Sequence, residues 1–497
     1  MLDHLDHALR SRPERPAVLT ATRTGAPRVR ATRGELAELA DAFAAALHAR
    51  GLRAGDTVGV AVRPGPRALA VLLALWRLGL RGAVLDPGAG PDVLRARLAL
   101  ARPALVLADA TAQAVAGWAR PLARRARLAL PDLAGLGPVA TVGPRLPGCA
   151  PALDPGASRR GVPAPGADLD ADADAVIVFT SGTTSLPRAV VHTRASLAAG
   201  MATVSALFDA RGDLPVLGGT FFVLVPSLAR GAAVALPAGN SRVLARQLHR
   251  LRPQDTYLTP PRLRDALGAG ARFHGRVWTG SAPAGAGLLE RVRAAGAAEA
   301  WGVYALTELF PAAAVEAREK SAFEATGEHG DLVGAPLPGV RAEPDGSGQL
   351  LLSGPAARHR YLGEEPDPWV RTGDRARLDG AGRIVLEGRS KDMVLRRAEN
   401  IYPGLYEPAL HVPGVELAVL VGIPAGDGDE RLVAVVQPRR GADERALRAA
   451  LSEPVRRMGT ARPDALLLAR IPLSGRSRKP DRAATAALAA RRLDPAR

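Results

Sequence analysis

The alternation of two hydrophobic periods along the N-terminal part of the chain narrows the possible folds more than any other feature. Over residues 33–52 the apolar positions Leu36, Leu39, Phe43 and Leu47 recur at helical spacing, and Gly51 follows as a stop signal. Thr57-Val58-Gly59-Val60-Ala61-Val62 is a short run, rich in valine, between Gly55-Asp56 and Pro64-Gly65. It predicts a strand, and residues 68–78 return to the helical period. The pattern repeats with a strand at 82–86, a helix at 93–100 and a strand at 104–107. Strands that alternate with helices wind into βαβ units around a parallel sheet, so the expected class is α/β.

The chain has 497 residues, more than one hydrophobic core of roughly 100–200 residues organises. Residues 147–174 are rich in Pro, Gly, Ala and Asp and lack periodicity, which predicts a surface connection inside a large unit. A stronger break falls near Gly388. Beyond it, short strands at 418–422 and 432–436 and a helical stretch at 444–451 predict a small α+β unit. The expected organisation is a large domain over residues 1–388, built of mixed and parallel sheets with packed helices, and a small mobile domain over 389–497.

Lys and Arg number 66 against 49 Asp and Glu, a net charge of +17. Such a balance raises nucleic acid or an anionic membrane as a partner. Its distribution argues otherwise, because only Lys320, Lys391 and Lys479 are lysines and the arginines are scattered through alanine-rich segments. No basic stripe interleaved with aromatic residues is present, so a solvated basic surface is expected and no nucleic-acid partner. In a chain nearly purged of lysine, the three that remain attract attention. Cys149 is the single cysteine, which excludes a disulfide framework and a cysteine-based zinc site and fits a reducing, cytoplasmic setting. Met1-Leu2-Asp3-His4 does not read as a secretory signal, and apolar runs such as residues 69–76 fall short of the ~18 residues that cross a bilayer. No membrane partner is expected.

The chemistry-bearing segments come in a fixed order. The strand-like Val176-Ile177-Val178-Phe179 runs into Thr180-Ser181-Gly182-Thr183-Thr184-Ser185-Leu186-Pro187-Arg188. Backbone N–H groups and hydroxyls in such a loop can wrap the oxygens of a polyphosphate. The Walker spacing is absent, which disfavours a P-loop ATPase. Tyr304-Ala305-Leu306-Thr307-Glu308, Arg371-Thr372-Gly373-Asp374, Gly388-Arg389-Ser390-Lys391-Asp392 and residues 473–482, with Lys479, follow. Taken singly, the Thr-Glu pair is ordinary helix-start material, Thr-Gly-Asp reads as a β-turn and the tail as a basic solvated segment.

Together and in this order, the segments resemble the motifs of the acyl-adenylate-forming superfamily: acyl- and aryl-CoA synthetases, adenylation domains of peptide synthetases, and luciferases. The resemblance runs over nearly the full length. It implies that Thr180, Ser181, Gly182, Thr183, Thr184 and Arg188 hold the phosphates of ATP, with Tyr304 beside the adenine. It further implies Thr307 on the α-phosphate, Glu308 on Mg²⁺, Asp374 and Arg389 on the ribose, Lys391 as the hinge between domains and Lys479 as the catalytic lysine. Asn400, in the loop of residues 396–403, joins the cofactor-binding set. Ser185, Arg188, Ala189, Ala305, Ala398 and Arg478 depart from the family pattern, and Arg188 keeps the positive charge as a planar fork instead of a point charge. Phe221, Phe222, Ser281 and Val303 are the candidate lining of an acyl pocket.

The activity implied is an ATP-dependent ligase that adenylates a carboxylic acid, releases pyrophosphate and passes the acyl group to CoA, a carrier protein or another nucleophile. Arg397-Ala398 stands where many relatives have a Gly pair, and glycine allows close approach of a ligand to the backbone. An adenylation-only relative is therefore the alternative: a β-lactone synthetase, an amide ligase, or an enzyme activating another oxyanion such as nitrite. A degenerate nucleotide-binding homologue is the second alternative.

Overall fold

The computed structural model describes residues 2–85, 91–116, 138–153, 162, 169–180, 188–389, 392–396, 399–426, 429–475 and 478–493. The helical period at 33–52 becomes the helix Arg33–Ala49. Its start is fixed by a capping box, in which the Thr32 hydroxyl accepts from the Glu35 N–H and the Glu35 carboxylate accepts from the Thr32 N–H. Leu36, Phe43 and Leu47 on its buried face pack with Leu69, Leu73 and Leu75 of the helix Pro66–Arg77. The predicted strands appear as Thr57–Ala61, Arg81–Val84 and Leu105–Ala108, and the third helix as Pro91–Ala101.

These strands form the parallel part of a seven-stranded sheet in the order Arg360–Tyr361, Ala189–Thr193, Asp174–Phe179, Arg81–Val84, Thr57–Ala61, Leu105–Ala108, Val139–Thr141. The pairings from Asp174–Phe179 to Val139–Thr141 are parallel. At the other edge the chain reverses, so that Ala189–Thr193 and Arg360–Tyr361 run antiparallel.

A second sheet of 13 strands is parallel from Pro16–Ala21 through Asp255–Tyr257 and Arg276–Thr279 to Glu299–Tyr304, and antiparallel beyond. Its two parts are joined by the strand Asp331–Pro336. The C-terminal end of that strand pairs with Ala313–Glu316 and its N-terminal end with Ile384–Arg389, and a register shift falls between Leu332 and Gly334. The irregularity lets one strand serve two neighbours and brings the strand that ends in Arg389 toward Tyr304.

Past residue 393 the strands Val415–Gly426, Asp429–Pro438 and Ala465–Leu468 form a small separate sheet. It is flanked by the helices Glu444–Arg457 and Arg482–Leu493. The two apolar clusters of this region, around Leu420 and Val433, draw only on residues from Val394 onward. Contacts to the rest of the chain include ion pairs at Glu416, which lies 3.4 Å from Arg264 and 3.3 Å from Arg291, and the Gly330 N–H donating to the Leu405 carbonyl. No helix among the described residues is long and apolar enough to cross a membrane.

Gly334 has a φ of +99°, and a Cβ built there would lie 1.9 Å from the Ala314 carbonyl oxygen. Gly334→Ala is expected to cost at least the ~1–3 kcal/mol of a strained backbone position and to lower the melting temperature by several degrees. A melting temperature equal to that of the wild type would contradict this role.

Candidate active site

Asp374 is the centre of one half of the site. It lies in the strand Val370–Leu378, not in the β-turn that the Thr-Gly-Asp segment taken singly suggests. Leu351 pairs with Arg371 and Gln349 with Arg375, so Thr372, Gly373 and Asp374 together stand opposite the single residue Leu350. Gly373 takes a φ of +71°, which glycine adopts without penalty. The Thr372 hydroxyl donates to the Leu350 carbonyl at 2.8 Å and accepts from the Asp374 N–H at 3.0 Å. The irregular strand thereby turns the Asp374 carboxylate onto the neighbouring strand.

There Asp374 is buried, 5% exposed, and its carboxylate has two partners. The Tyr304 hydroxyl donates to Oδ2 at 2.7 Å, and Arg389 Nε donates to Oδ1 at 2.7 Å. Arg389 is its direct cross-strand neighbour. Burial, and then the Asp374 charge, push the Tyr304 phenol well above its ordinary value, so it stays a donor. Burial opposes the charge on Arg389, but Asp374 outweighs it and raises the guanidinium further. Each carboxylate oxygen keeps a second lone pair, which suits a vicinal diol.

The other half is built where the two large sheets meet. The strands Asp174–Phe179 and Ala189–Thr193 are antiparallel, and the Thr180 N–H donates to the Arg188 carbonyl at 3.0 Å. Ser181, Gly182, Thr183, Thr184, Ser185 and Pro187 lie outside the described residues, as do Lys391, Arg397, Ala398 and the side chain of Asn400. Thr307 and Glu308 follow the strand Glu299–Tyr304 and are half-buried. His192 Nε2 lies 2.8 Å from the Thr307 carbonyl oxygen, and its Nδ1 lies 3.3 Å from Ser196 Oγ. Burial lowers the His192 pKa, so a neutral ring ties the sheets together. The Arg358 N–H donates to the Glu308 carbonyl at 2.6 Å. The Glu308 carboxylate accepts from the Tyr361 hydroxyl at 3.0 Å.

Among the described residues no group of three or more His, Cys, Asp or Glu forms a metal cage. A single half-buried carboxylate still fits Mg²⁺, which takes one or two protein carboxylates and completes its shell with phosphate oxygens and water.

Lys479 is exposed in the short strand Lys479–Pro480, paired with Leu473–Ser474. Arg478, where the family pattern has glycine, takes a φ of +49° and pairs with Asp265 at 2.8 Å. Lys320 serves a different purpose: it is buried and pairs with Asp331 at 2.5 Å. The pocket candidates fall into two groups. Phe222 packs tilted against Phe310 with ring centroids 3.8 Å apart, and Phe221 packs against the same core. Ser281, with a φ of +69°, lies 3.2 Å from the Tyr257 hydroxyl, and Val303 packs beside Tyr257 in another cluster. Tyr257, His192 and Tyr361 were not singled out from the sequence, since no motif marks them and their partners are remote in the chain.

A family model described as AMP-binding enzyme matches residues 5–358. The chain is 27% identical over 452 residues to feruloyl-CoA synthase of an Amycolatopsis species, covering 85% of this chain and 86% of that protein. It is 28% identical over 519 residues to olefin β-lactone synthetase of Stenotrophomonas maltophilia, covering 90% and 89%. In fold it is similar to the amide bond synthetase McbA of Marinactinospora thermotolerans, with a TM-score of 0.77, 22% identity and coverage of 98% and 99%.

Asp374→Asn removes the charge and weakens the acceptor beside Tyr304 while burial remains. The Tyr304 pKa is then expected to fall toward its ordinary value, so more of the five tyrosines ionise in an alkaline absorbance titration than in the wild type. Superimposable titrations would contradict the pairing.

Proposed function

The chain belongs to the AMP-binding enzyme family, and we propose that it activates a small-molecule carboxylate as an acyl-adenylate and transfers the acyl group to a nucleophile. It is an adenylate-forming ligase that uses ATP. The observation that carries the site-level reading is the buried Asp374 held between Tyr304 and Arg389. A short acceptor-only side chain so placed receives both ribose hydroxyls, and Tyr304 then faces the base.

The chemistry follows from charge. A carboxylate oxygen attacks the α-phosphorus of ATP, its bond to phosphorus forms as the bond to the pyrophosphate oxygen breaks, and acyl-AMP and pyrophosphate result. An anion must approach a polyanion, so the site has to supply positive charge and donors. Thr180, Ser181, Gly182, Thr183, Thr184 and Arg188 are assigned to the phosphates, and Thr307 to the α-phosphate. Glu308 would hold Mg²⁺, which when bound neutralises phosphate charge. Lys479 is assigned to the reacting oxygens, and Asn400 to the cofactor side. Residues 1–388 form the adenylating domain and 389–497 a mobile domain that turns at Lys391. Ser281 and Val303, with Tyr257, line the acyl pocket, while Phe221 and Phe222 belong to its supporting core. The single cysteine fits a cytoplasmic location.

Lys479→Ala is expected to lower the rate of acid-dependent pyrophosphate release from MgATP by about 10²–10³ and to leave the melting temperature unchanged. Near-normal release would contradict the assignment. Running the wild type over fatty, hydroxy, aryl and amino acids, and over nitrite with an arylamine, each with and without CoA, separates the acceptors. A thioester formed only with CoA supports the ligase reading, and turnover without CoA supports the adenylation-only one.

A further inference from the structure

Arg188 is exposed, and an exposed arginine samples many rotamers unless something seats it. Its guanidinium carbon lies 3.8 Å from the centroid of the Tyr361 ring, and its Nη2 lies 3.3 Å from the Glu364 carboxylate. The same Tyr361 donates its hydroxyl to Glu308 at 3.0 Å. One side chain therefore touches both charged residues that flank the phosphate side of the site. Tyr361 is 7% exposed and has little freedom of its own. Its two-residue strand pairs with Val190 and Val191, and the His359 and Leu362 N–H groups extend the pairing to the Val191 and Ala189 carbonyls. Arg360 clamps the strand to Asp174 through bonds of 2.8 and 2.7 Å, and the Arg358 guanidinium lies 4.6 Å from the Tyr361 ring.

We propose that Tyr361 is a positioning residue for the phosphate side of the site: its hydroxyl aims the Glu308 carboxylate, and its ring seats the Arg188 guanidinium for the terminal phosphates. The inference rests on the functional reading above and adds a residue to it. It also accounts for the replacement at position 188. A lysine ammonium is a compact point charge, whereas a planar guanidinium can lie on an aromatic face and still present donors at its edge. Asp374, by contrast, has its hydrogen bonds from Tyr304 and Arg389 in the ribose half.

The test compares the binding of ATP and of AMP, with and without Mg²⁺, by calorimetry, and the acid-dependent pyrophosphate release of the same proteins. Tyr361→Leu is expected to weaken ATP binding between a few-fold and about thirtyfold and to leave AMP binding unchanged. Tyr361→Phe keeps the ring and loses the hydroxyl, so the Mg²⁺-dependent part of the ATP affinity falls and kcat drops about tenfold. Once Arg188 is alanine, Tyr361→Leu should cost only what Tyr361→Phe costs, because the seat has lost its occupant. Unchanged ratios of ATP to AMP affinity in both Tyr361 variants would overturn the proposal, as would fully additive losses in the double variant. If Tyr361→Leu fails to fold, Tyr361→Phe and Arg188→Ala decide alone. Absence of ATP binding by the wild type would contradict the functional reading itself, a result distinct from failure of the Tyr361 variants alone.

Discussion

A carboxylate that is nearly withdrawn from water must be paired, and Asp374 sets the terms for one half of this molecule. Its two partners come from different strands, Tyr304 at the end of one and Arg389 on the neighbouring one, while its own N–H is stapled to Thr372. Leaving such a group unpaired costs several kcal/mol. The irregularities that bring the partners together, at residues 372–374 and at Gly334, are therefore tied to one electrostatic requirement. The sheet is kinked where it is because the site needs the strand ending in Arg389 beside Tyr304.

The phosphate side obeys a different logic. Its groups belong to two sheets, and the sheets are joined by polar contacts: His192 with the Thr307 carbonyl, Arg358 with the Glu308 carbonyl, Tyr361 with the Glu308 carboxylate. The neutral, buried His192 joins them without adding charge. Positive charge is supplied instead by arginines at the rim, where solvent tempers its cost. The arginine-rich character of the chain thus reaches into the site, and an aromatic seat goes with it at position 188.

Much of this was legible in the sequence, and the limit has a physical cause. Residues 33–107 declared their helices and strands because a buried face repeats with the period of its own backbone, and the expected elements match the observed ones to within a few residues. Tyr304, Asp374 and Arg389 stood in recognisable segments and come together in space. The shape of the Thr-Gly-Asp segment was not legible, because a glycine at positive φ fits a turn and an irregular strand equally well. His192 and Tyr361 could not be found at all: their partners lie 115 and 53 positions away, and no local pattern encodes a contact between sheets. Lys320 shows the hazard of reasoning from rarity, since one of the three lysines is held in a buried ion pair with Asp331.

The proposed reaction bonds a carboxylate oxygen to the α-phosphorus of ATP in this site. The test uses an accepted acid with both carboxylate oxygens as the heavy isotope, and mass spectrometry of the AMP formed in a single turnover. One heavy oxygen is expected in AMP, with heavy-isotope-free pyrophosphate, whichever nucleophile takes the acyl group. Turnover that leaves AMP unlabelled, or that yields ADP and phosphate, would contradict it.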